Sequence, residues 1–152
     1  MNNNDILRRL RYTFKLSDDN MIRIFALADA EVTRSEISDW LKKDDDEVFK
    51  EIHDKQLAIF LNGFINYRRG KKDGAQAIPE KSTNNNIILR KLKIALDLKD
   101  EDILDIFKLV DMQVSRHELS ALFRKPIQSQ YRVCKDQFLR NFLQGLQLKF
   151  HD

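Results

Sequence analysis

Three histidines, one cysteine and a run of four acids are the residues of this chain best suited to chemistry, and their spacing argues against it. His53, His117 and His151 are not paired at metal-ligand spacing, and no Cys-x-x-Cys or His-x-x-x-His pair exists. Asp44-Asp45-Asp46-Glu47 lacks the glycine and distal glutamate of a calcium loop. It reads instead as the acidic start of a short helical turn carrying Val48, Phe49 and Ile52. No glycine-rich turn follows a strand, so the usual phosphate cradles are excluded. Cys134, the one cysteine, forms no internal disulfide and reads as a small buried apolar residue in a reducing compartment. The expected catalytic, metal and cofactor sets are empty, and an enzyme is not the expectation.

Recognition has better candidates. Ala28 to Leu41 resembles the helix-turn-helix by which repressors enter the major groove, with Val32, Ile37 and Trp40 where that motif buries apolar groups. Arg34, Ser35 and Ser38 then face outward near the start of the second helix, and Arg116, His117 and Ser120 repeat the set downstream. The segments concerned are 18–42 and 100–124. Three departures weaken the match. Glu31 and Gln113 occupy the usual glycine of the turn, Leu27 and Leu109 replace a small residue at the helix contact, and Asp39 points a carboxylate toward DNA.

A second candidate surface is the basic stripe of the first helix, Arg8 and Arg11 with Lys15, repeated as Arg90 and Lys93. Each phosphate contact from it would steepen the salt dependence of binding. The plain alternative is a solvated face opposite an apolar one. The overall balance, 27 basic against 24 acidic residues and a net charge of +3, is a weak bias without a concentrated patch.

These candidates come in pairs because the chain is written twice. Positions 4–67 align without a gap on 86–149, with roughly a third of them identical. Two copies of this length point to a duplicated folding unit rather than a solenoid. Each has about 64 residues, near the lower limit for folding alone, so the copies are expected to lean on each other.

The elements within a copy follow from apolar spacing and caps. Asn4 reads as the N-cap of a first helix with Ile6, Leu7, Leu10 and Phe14 on its inner face. Ser17 caps a second, and Thr33-x-x-Glu36 is a capping box opening a third, kept as Ser115-x-x-Glu118. Asp29 is expected to pair with Arg34 across the turn between the second and third helices. The last helix carries Leu57, Phe60, Leu61 and Phe64 and contains Gly63, matched by Gly145. A glycine kept inside both helices predicts close backbone approach where the two last helices cross.

The expected architecture is all-α: two tandem copies of a four-helix unit related by pseudo-two-fold symmetry. The first copy spans 1–69, a flexible linker rich in glycine and lysine spans 70–85, and the second copy spans 86–152. The pattern Leu-Arg-Arg-Leu-Arg-Tyr, then Val-Thr-Arg-Ser-Glu-Ile-Ser-x-Trp-Leu-Lys, then Phe-Leu-Asn-Gly-Phe-Ile resembles the YehS-like family of small bacterial proteins. That resemblance implies a duplicated helical protein of unknown function and supplies no site residues. No stretch is apolar enough to span a membrane, and the polar start lacks the pattern of a secretory signal, so a cytoplasmic protein is expected. The functional expectation is a non-catalytic interaction or regulatory module acting on another protein, with DNA binding through the paired segments as the alternative. The oligomeric state is left open.

Overall fold

Short polar side chains set the helix boundaries. The computed structural model describes residues 1–151, which hold eight α-helices and no strand. Copy one contributes α1 (Asn3–Thr13), α2 (Asp18–Leu27), α3 (Arg34–Leu41) and α4 (Asp54–Arg69); copy two contributes α5 (Asn85–Ala95), α6 (Asp100–Lys108), α7 (Arg116–Leu122) and α8 (Asp136–Phe150). Asn2, not Asn4, caps α1 by accepting from the Asp5 N–H. Ser17 accepts from Asn20 N–H ahead of α2, and both predicted capping boxes form at α3 and α7.

The turns after α1 and α2 share one device. After α2, Ala30 N–H reaches Phe25 O at 3.0 Å and Asp29 N–H reaches Ala26 O at 2.9 Å, a Schellman closure with Asp29 left-handed at φ 60°. Asp111 repeats it at φ 57°, and Lys15 and Asp97 do the same after α1 and α5 at φ 52° and 53°. The left-handed residue of the α2–α3 turn is thus Asp29, not Glu31, and aspartate tolerates that backbone better than most side chains. The expected Asp29–Arg34 pair does not form. Asp29 meets Lys71 at 2.7 Å, while Arg34 turns to Asp18 and Asp19.

Residues 44–49 also differ from expectation. They form successive three-residue-offset turns, closed by Asp46 N–H to Lys43 O and Phe49 N–H to Asp46 O, and no helix. Val48 is exposed, and Ile52 is the buried anchor of this stretch, as Cys134 is in copy two. The strap that follows is held by Asn4. Its buried amide donates to Trp40 O and Lys50 O, both at 2.8 Å, and its carbonyl accepts from Ile52 N–H at 3.1 Å. Asn86 repeats all three bonds, to Leu122 O, Arg132 O and Cys134 N–H.

Gly63 and Gly145 do mark close approaches, but to a different partner from the one expected. A Cβ on Gly63 would lie 1.9 Å from Ile24 O, and one on Gly145 would lie 2.5 Å from Ile106 O. The tight crossings are therefore α4 on α2 and α8 on α6, inside each copy.

The copies meet reciprocally, α4 against α5 and α1 against α8. Atom-level pairs exchange accordingly: Thr83 N–H donates to Asp54 Oδ2 at 3.2 Å, and the Met1 ammonium donates to Asp136 Oδ2 at 3.5 Å. Buried side chains of both copies join in one apolar cluster, with Phe14, the residue that caps the end of α1, in ring contact with Phe64 of α4 and Phe150 of α8.

The linker from Gly70 to Asn84 has no helix or strand, and α5 begins at Asn85. It returns along α4 and is pinned as it goes. Gln76 Oε1 accepts from Asn66 Nδ2 at 3.4 Å, Ala77 and Pro79 border a small hollow with Ile59 and Ile65, and Glu80 reaches Lys91 of α5 at 2.5 Å. The Lys91 ammonium is buried and also donates to Asn62 Oδ1 at 2.6 Å, so its charge is fully partnered.

Candidate macromolecule-binding surface

The two predicted reading sets occupy equivalent places at the starts of α3 and α7. Arg34, Ser35 and Ser38 are exposed, as are Arg116, His117 and Ser120. Their arginines are not idle. Arg34 meets Asp19 at 2.5 Å and Asp18 at 3.3 Å, and Arg116 meets Glu101 at 3.2 Å. The Glu101 carboxyl is held below its ordinary range by a backbone hydrogen bond at the start of α6 and then by Arg116. These exposed pairs are weak in energy. They nonetheless place a carboxylate beside each cation that a phosphate or base edge would have to displace.

The basic stripe is committed further. Arg8 donates to Lys42 O at 2.6 Å and bonds the Asp5 carboxylate; Arg11 donates to Leu16 O and Asp18 at 3.0 and 3.1 Å. Lys93 binds Asp100 at 3.0 Å and lies 4.5 Å from the centre of the Phe123 ring. Arg90 is half-buried. Arg8, Arg11 and Lys93 therefore close helix ends and join elements, and the stripe is not an open row of cations.

Cys134 is buried, and burial together with the nearby Asp136 charge pushes its thiol up to about 11. That is the reverse of what a nucleophilic thiolate needs. Among the described residues no three His, Cys, Asp or Glu side chains converge as metal ligands.

What the sequence reading missed is a difference between the copies. In copy one Trp40 of α3 is buried against α2, with its ring 5.5 Å from Phe25. Copy two has Leu122 there, and a cleft of about 240 Å³ opens between Met112, Leu122, Val133 and Phe138. Val133 is 63% exposed, a large apolar residue left in water. Arg132, Lys135, Glu118 and Asn141 form the polar rim. Glu118 is held ionised by its capping bonds to Ser115, so it offers fixed charge and not a mobile proton. Among the described residues Asn141 Nδ2 donates only to the thioether of Met112, at 3.2 Å, a weak acceptor for an amide. The signal that could have found this cleft was the exchange of Trp40, read as buried in copy one, for Leu122 at the matching position of copy two.

A family model described as a protein of unknown function (DUF1456) matches the chain twice, over residues 3–70 and 85–151. The chain is also 45% identical over 152 residues to the uncharacterized protein YehS of Escherichia coli (strain K12), covering 99% of this chain and 97% of that one. No solved structure matches it.

Proposed function

The chain belongs to the DUF1456 family of proteins of unknown function, and from that premise we propose that it is a non-catalytic module that binds another protein through the cleft of its second copy. The observation that carries this reading is the apolar wall formed by exposed Val133 and half-buried Phe138 beside Leu122, the position held in copy one by the buried Trp40. At about 240 Å³ the cleft is smaller than the roughly 300–1,000 Å³ typical of small-molecule sites, and it suits one large apolar side chain of a partner. The mixed rim of Arg132, Lys135 and Glu118 would fix the orientation of the flanking partner backbone. The carboxyls with clear shifts are lowered by caps and ion pairs, and none is raised toward a general acid.

The test is capture of partners from lysate on immobilised chain, with and without nuclease, beside the variant Leu122→Trp. That substitution copies Trp40 into copy two and closes the cleft. Proteins retained by the wild type, insensitive to nuclease and lost with Leu122→Trp are the expected result; retention by both would end the reading.

Duplex DNA is the second reading, favoured by the two exposed sets at Arg34 and Arg116. It needs reading helices about 34 Å apart, one turn of DNA. Fluorescence anisotropy on random duplex at roughly 50 mM salt decides it, since electrostatic binding is strongest there. Binding lost in the Arg34→Ala, Arg116→Ala double variant would favour DNA over protein.

A further inference from the structure

The linker lies over one of two helix faces that the duplication relates, that of α4 and that of α8. Along α4 it lays Gln76 on Asn66 and Glu80 on Lys91, whose ammonium is shared with Asn62. The pseudo-dyad maps this groove onto α8, where Gln144 stands for Asn62, Leu148 for Asn66 and Arg9 of α1 for Lys91. The partners are missing there. Arg9 Nη1 is buried without a hydrogen-bond partner, and no ion pair reaches its guanidinium among the described residues. Leu148 is 54% exposed. Arg8, Arg9 and Arg140 line one hollow of about 320 Å³ with Met1 and Asp5. Asp5 is already bonded by Arg8, and Asp136 is held by Asn85 and the Met1 ammonium, so the acids present are spent.

We propose that this α8 groove docks an extended segment of another protein whose carboxylate pairs with Arg9, as Glu80 of the linker pairs with Lys91. A guanidinium left half-buried and unpaired is costly, and a partner acid removes that cost on binding. The groove also specifies the residue four places earlier. Where the linker sets Gln76 on Asn66, the occupant meets Leu148, so an apolar side chain belongs there. Asn141 and Gln147 replace Ile59 and Ile65 between these points, so the middle of the segment is polar. The recognised pattern is apolar-x-x-x-acid on an extended backbone. This site goes beyond the copy-two cleft, which it meets only at Asn141, and either can fail without the other.

The experiment pans a phage library of random peptides, about twelve residues long, against the full chain. Three variants run beside it: Arg9→Gln, Gln144→Glu and Leu122→Trp. Enriched peptides are expected to carry the apolar-x-x-x-acid spacing and to bind Arg9→Gln at least roughly tenfold more weakly, the loss expected for a charge-assisted pair. Gln144→Glu supplies a carboxylate in place and is expected to block the same peptides while raising the melting temperature of the free chain. It also controls for misfolding of Arg9→Gln. Leu122→Trp is expected to leave their binding unchanged, which separates this groove from the cleft. No enrichment, peptides without an acid, or equal binding by Arg9→Gln would overturn the proposal. So would self-association of the wild-type chain that Arg9→Gln abolishes, since a second copy would then be the occupant.

Discussion

Asn4 and Asn86 each tie two backbone groups of a strap that has no ladder of its own to a carbonyl at the end of α3 or α7. Replacing either with alanine leaves a buried N–H and a buried carbonyl short of partners, each costing about 1–3 kcal/mol, while the second carbonyl is part-buried. Denaturant unfolding of Asn4→Ala and Asn86→Ala is expected to show losses of about 2–4 kcal/mol apiece. The sequence exposed these residues as a repeated pair but not their role, because Asn2 and Asn4 are equally good caps and only tertiary contact decides between them. Cys134 was legible, since its partner position is Ile52. Its thiol, raised to about 11, favours the folded state most where the unfolded thiol would ionise less; that contribution is complete below about 9 and is lost as pH rises from there to about 11. Alkylation by iodoacetamide at pH 8 is expected to run about 100-fold slower in the native chain than in denaturant, read by mass spectrometry.

Among elements, the glycine crossings set how near α4 and α8 approach α2 and α6. Alanine gains about 1 kcal/mol of helix propensity over glycine, yet at Gly63 its Cβ would sit 1.9 Å from a backbone oxygen that has nowhere to go. Overpacking of this kind typically costs about 1–3 kcal/mol, and here it opposes the propensity gain. Gly63→Ala is expected to lower stability by more than Gly145→Ala, whose nearest backbone contact is 2.5 Å, and thermal melts of the two variants check the order. Helix existence and most starts could be read from apolar spacing and caps, and α3 and α7 open at their predicted boxes. The acidic run at 44–47 misled because carboxylates suit helix starts and turns alike, and Asp46 uses its own side chain to bond the Val48 N–H. The partner of each glycine was beyond reach for a related reason: sequence shows that a gap is kept, not what enters it.

For the molecule as a whole, the single apolar cluster makes each copy a poor domain alone. Fragments 1–69 and 86–152 would each expose the faces of α4, α5, α1 and α8 that now cover one another. Neither is expected to unfold cooperatively by circular dichroism, and mixing them is expected to restore a single transition; a sharp melt from either fragment would refute the shared core. The duplication was plain from the alignment of 4–67 on 86–149, but the asymmetry was not. Leu122 for Trp40, Arg9 for Lys91 and the linker's choice of groove are small substitutions in sequence that matter only once packing is known. The reciprocal seating of Thr83 on Asp54 and Met1 on Asp136 carries one more consequence. It makes the path from residue 151 to residue 1 the twin of the path from 69 to 83. A second copy of 70–82 spliced across that gap, with the chain reopened at Gly74, is expected to yield a circular permutant with native circular dichroism, its spliced glutamate resting beside Arg9.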